Sequence, residues 1–65
     1  MIDKNEVTFS VTLGCDEALA LAQFLKRVGW SQMRENAVHD EEAYLIRYAL
    51  GQVQEALAGE GYAPR

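Results

Sequence analysis

An α+β chain that is mostly helical, running strand, helix, short helix, long helix, is the fold class this sequence predicts, on three observations. Val7-Thr8-Phe9-Ser10-Val11-Thr12-Leu13 alternates apolar and hydroxyl side chains, the period-two pattern of a strand with one buried face. From residue 15 onward apolar residues recur at helical spacing, so the strand finds no partner in its own chain. A lone strand leaves a ladder of backbone donors and acceptors unpaired, which a second copy of the same strand would satisfy. The expected assembly is therefore a homodimer through an intermolecular antiparallel β-ribbon.

Size points the same way. A single domain of 65 residues buries only about 60% of the surface its unfolded chain exposes, and its core rarely supplies more than roughly 3–5 kcal/mol. One cysteine excludes an intrachain disulfide, and one histidine argues against a zinc site, so oligomerisation is the remedy left. Residues 1–6 lack the basic and apolar regions of a secretory signal, and no apolar run has the length of a membrane span. The expected compartment is the cytoplasm. Ten acidic against six basic residues give a net charge of −4, which opposes non-specific attraction to nucleic acid or anionic lipid.

Residues 1–5 read as a loose arm. In the strand, residues 6–13, Val7, Phe9, Val11 and Leu13 share the face expected to be buried in the dimer ribbon, and Thr8, Ser10 and Thr12 the other. Burying the four apolar side chains would contribute on the order of 6–12 kcal/mol before entropy is subtracted. Asp16 and Glu17 open a first helix over residues 15–28, where their charge complements the helix dipole. Ala18, Leu21, Ala22, Leu25 and Val28 form its apolar stripe, Phe24 lies at the edge and Leu19 off it. Lys26 and Arg27 occupy the last turn, and Gly29 follows as a left-handed cap.

Ser31 is placed as the N-cap of a short helix over residues 31–38, and Asp40 as the cap of a long one over 40–58. At 100° per residue Ile46, Leu50, Val53 and Leu57 face the chain's own core, flanked by Ala43 and by Leu45, Ala49 and Ala56. Tyr44, Tyr48, Gly51 and Glu55 lie opposite. A helix apolar over so much of its circumference is expected to be covered on two sides. Residues 59–65 are a tail in which Tyr62 folds back.

The alternating Val7, Phe9, Val11 and Leu13, the helix after them, and Gly29-Trp30-Ser31 at the turn between helices resemble the ribbon-helix-helix family of dimeric bacterial repressors and antitoxins. The likeness covers residues 6–31. It implies base-reading positions at Thr8, Ser10 and Thr12, with Ser31 near the DNA backbone. The family generally carries long polar side chains at those strand positions, where this chain has short hydroxyls. Small size, acidity and a lack of catalytic groups also make the chain similar in type to accessory proteins of phages and plasmids, anti-CRISPR inhibitors among them.

Chemistry is sparse. Cys15 stands near a helix start, where a thiolate is favoured, but nothing in the sequence pairs it with His39 as a base. A small, partly buried cysteine is the plain reading. No metal set, cofactor motif or catalytic constellation is expected, so the protein is read as no enzyme. Asp40, Glu41 and Glu42 stabilise a helix start, or form an acidic patch for a basic, nucleic-acid-binding surface of a host complex. With Tyr44, Tyr48, Glu55 and Trp30 they make up the candidate partner-binding residues. Lys26, Arg27, Arg34 and Arg47 read as solvated charges. The leading expectation is an acidic protein-binding inhibitor or modulator from a mobile element; the alternative is a DNA-binding regulator.

Overall fold

The computed structural model describes residues 5–63 and holds three helices: α1 (Cys15–Arg27), α2 (Trp30–Glu35) and α3 (Asp40–Gly59). The helix boundaries expected from apolar spacing and capping chemistry stand to within one to three residues. Residues 1–4 of the expected arm, and Pro64 and Arg65 of the tail, lie outside the described residues.

The α+β class and the ribbon dimer are overturned, because no strand occurs among the described residues. Residues 6–14 lead into α1 without regular secondary structure, and Val7, Phe9 and Val11 are 81%, 75% and 69% exposed. The physical reason lies in what alternation encodes. A period of two sorts side chains onto faces, but a strand exists only when a neighbouring backbone completes the ladder, and water satisfies the donors and acceptors of so exposed a segment.

Helix α1 starts without a capping side chain: the Gly14 N–H donates to Glu17 Oε1 at 2.8 Å, the carboxylate reaching back to the residue before the helix. It stops at Val28, whose backbone turns extended and whose N–H donates to the Phe24 carbonyl at 2.8 Å. Gly29 is not the left-handed cap expected of it. At φ −110° and ψ 175° it is extended and begins α2, in place of Ser31, and its N–H donates to Gln32 Oε1 at 2.8 Å.

Helix α3 ends in a Schellman motif. Gly61, at φ 94° the one positive φ among the described residues, turns the chain so that the Tyr62 N–H reaches the Leu57 carbonyl (2.9 Å) and the Gly61 N–H that of Ala58 (3.0 Å). Tyr62 is thereby folded back, as its position after two glycines suggests.

The packing is thin. Helices α1 and α2 both pack on α3. Only Ala18, Ala22, Leu25 and Ala43 are buried among the described residues, and three of these are alanines. Leu21, Val28, Ile46, Leu50 and Leu57 are half-buried, while Leu45, Ala49 and Ala56, expected to flank the core, are exposed. The result is a slab of 34 × 34 × 17 Å.

Candidate functional site

Two places on the slab hold the residues of interest. The first is the connection from α1 to α3, residues 29–42, which is stitched by polar bonds. His39, and not Asp40 as expected, takes the N-cap of α3: its backbone is extended, and Nδ1 accepts from the Glu42 N–H at 3.2 Å. Glu42 reaches back so that Oε1 accepts from the Val38 N–H at 3.1 Å. Asp40 instead accepts from Arg34 Nε in an ion pair, and Arg34 Nη1 donates to the Ala37 carbonyl at 3.2 Å. Of the expected acidic trio, two carboxylates are thus occupied within the fold.

Trp30, the first residue of α2, lies on Tyr44 with ring centroids 4.7 Å apart and planes inclined at 41°. That arrangement contributes about 0.5–1.5 kcal/mol beyond burial. It gives Trp30 a structural part, closing α2 onto α3, and leaves Tyr48, 67% exposed, as the free aromatic of the pair on α3. At 100° per residue Tyr48 shares one side of α3 with Glu41, Tyr44 and Glu55, all of them exposed. Ser31 is exposed on α2, on a different element from Thr8, Ser10 and Thr12, which sit exposed in the unpaired N-terminal segment. Without a ribbon, the base-reading arrangement implied by the resemblance is not built.

The second place is an open apolar groove of about 630 Å³. Phe9, Val11 and Leu13 form one wall, Leu21 of α1 and Val53 and Leu57 of α3 the others, and Tyr62 closes an end. The four ribbon residues are therefore not paired across a ladder; three of them overhang this groove. A smaller hollow of about 150 Å³ lies under Phe24, between α1, α2 and α3. The sequence pattern placed Val53 and Leu57 in a closed core and missed the groove. The available signal was the breadth of the apolar arc on α3, too wide for two short helices to cover.

Cys15 and His39 are not brought together. The thiol stands beside the Tyr62 hydroxyl, which it holds above the ordinary tyrosine range, first by accepting its hydrogen bond and then by its own negative charge. His39 caps the far end of α3, and a helix of 20 residues spans roughly 30 Å. The cysteine is exposed, where partial burial was expected. No group of three metal-ligating side chains occurs among the described residues, and no described helix is long and apolar enough to cross a membrane.

No curated protein and no solved structure is similar enough to this chain to register as a match. One family profile does match, over residues 1–65, and it places the chain as a member of the Family of unknown function (DUF7706).

Proposed function

We propose that the protein is a non-enzymatic protein-binding module, an inhibitor or modulator of the kind mobile genetic elements encode, acting in the cytoplasm through the tyrosine and carboxylate side of α3. The observation that carries this reading is the grouping of Glu41, Tyr44, Tyr48 and Glu55 on one exposed side of a 20-residue helix. Tyrosine offers a large, stiff contact area with a polar tip, which is why it is enriched at the cores of protein interfaces. The carboxylates beside it, in a chain of net charge −4, favour a basic surface and speed its encounter. A nucleic-acid-binding protein of a host complex has such a surface. A lone exposed thiol suits a reducing compartment.

The test compares wild type with Tyr48→Ala and with a Glu41→Lys, Glu55→Lys double variant in pull-downs from host lysate. Tyr48→Ala is chosen because Tyr44 is engaged by Trp30. A protein partner held by wild type and weakened about tenfold or more in both variants, some 1.4 kcal/mol, is expected. Recovery of no protein partner, with DNA from upstream of the protein's own gene retained instead, would refute the proposal.

A further inference from the structure

The groove and the exposed flank of α3 beside it form one continuous apolar surface that the single chain leaves uncovered. Phe9, Val11 and Val53 open onto it, and Leu45, Ala49 and Ala56 continue it along α3. We propose that a second copy of this chain covers that surface, the two groove faces meeting about a two-fold axis through side-chain packing, without strand pairing. This goes beyond the partner-binding reading and does not depend on it: Glu41 and Tyr48 adjoin Leu45 at one edge of this surface, and Phe9, Val11 and Val53 lie away from them.

Area is the first argument. The chain exposes 5707 Å², against about 4,200 Å² for a compact monomer of its 7.3 kDa mass, an excess of about 1,500 Å². A standard interface takes about 800 Å² from each partner, and an obligate homodimer buries roughly 2,000–5,000 Å² in total. A contact of standard size would therefore take up about half of each copy's excess. Shape agrees: the radius of gyration is 13.2 Å where about 10.7 Å is expected of 65 compact residues, and the slab is 17 Å thin. Stacking two slabs groove to groove restores a compact body.

Composition is the second argument. Four buried residues among those described, three of them alanine, are a small core for this length, and the single cysteine offers no intrachain disulfide. Charge is the third. Among the described residues Glu60 is the one carboxylate lining the groove, so two chains each carrying −4 can meet groove to groove with most of their acidic residues outside it. The contact is isologous, each copy offering the same patch, and so it closes at two.

Sedimentation equilibrium of the full chain, from nanomolar to high micromolar concentration, tests this. The expected result is a species of twice 7.3 kDa at micromolar concentration. Ala56→Arg, at an exposed helical position that a single chain tolerates, is expected to raise the dissociation constant at least a hundredfold while helical content at high concentration persists. Phe9→Ser is expected to weaken the dimer tenfold or more, and Tyr48→Ala, at the rim of the surface, to weaken it less than threefold. A folded monomer, any other stoichiometry, or a dimer indifferent to both Ala56→Arg and Phe9→Ser overturns the proposal. So does a monomer whose groove takes up anilinonaphthalene sulfonate, which would mark a ligand cavity instead. Loss of the Tyr48→Ala effect on a protein partner, with the dimer intact, would refute the partner reading alone.

Discussion

The two ends of this slab are held by different physics. Around residues 29–42 most polar groups near a helix end have a named partner: Gln32 on Gly29, His39 on Glu42, Glu42 on Val38, Arg34 on both Ala37 and Asp40. Ala22, Leu25 and Ala43 are buried, and Trp30 closes on Tyr44. At the other end Phe9, Val11 and Leu13 line an open, largely apolar groove. Directional bonds can be completed inside one chain, because each needs one partner. Hydrophobic burial needs area, and 65 residues run out of it. The difference teaches that one end is finished as a monomer and the other waits for cover.

The sharpest way to break that comparison is to remove the largest buried side chain of the closed end. Leu25→Ala truncates the one residue bigger than alanine that is buried among the described residues, which costs about 2–5 kcal/mol in a packed site. Against a total of roughly 3–5 kcal/mol for a core of this size, the variant is expected to lose its cooperative denaturant transition. A cost below about 1 kcal/mol, with Leu57→Ala costing more, would mean that the grooved end holds the fold.

How much was legible beforehand follows the same division. The helices were readable because their signals are local: Ala18, Ala22 and Leu25 share a face by spacing alone, and Asp16 and Glu17 mark a start. The caps at Gly29 and His39 were not: Gly29 works through the Gln32 side chain three positions on, and His39, whose own ring accepts the Glu42 N–H, is not among the favoured capping residues. The N-terminal segment misled because alternation says which side chains travel together and nothing about whether a backbone lies alongside. At the site, the shared side of Tyr44, Tyr48 and Glu55 was readable from helical geometry. The engagement of Asp40 by Arg34 and of Tyr44 by Trp30 was not, as both depend on how α2 packs on α3.

A smaller perturbation sharpens the account of the bonded end. His39→Ala removes the acceptor for the Glu42 N–H and is expected to lower stability by about 1 kcal/mol in urea denaturation. His39→Asp supplies a stronger cap and is expected to restore the loss or exceed wild type. If the alanine variant is neutral, the bonds across residues 38–42 contribute no net stability and that end owes its order to Trp30 and the buried alanines.

The smallest effect expected is at the open end, where Tyr62 meets Cys15. Tyr62 is pinned over the groove by the Schellman turn, and the Cys15 thiol beside it raises its ionisation above the ordinary 10.0. A raised acid group favours the folded state only while it stays protonated. The stabilisation is therefore complete below the ordinary tyrosine value and fades as pH climbs through the raised one. Subtracting the tyrosinate absorbance of Tyr62→Phe from that of wild type isolates this group. Cys15→Ser is expected to bring the isolated titration back toward 10.0, since a serine hydroxyl carries no negative charge in that range. An unchanged titration would show that burial under a covering surface, and not the thiol, sets it, which would tie this tyrosine to the dimer instead of to its neighbour.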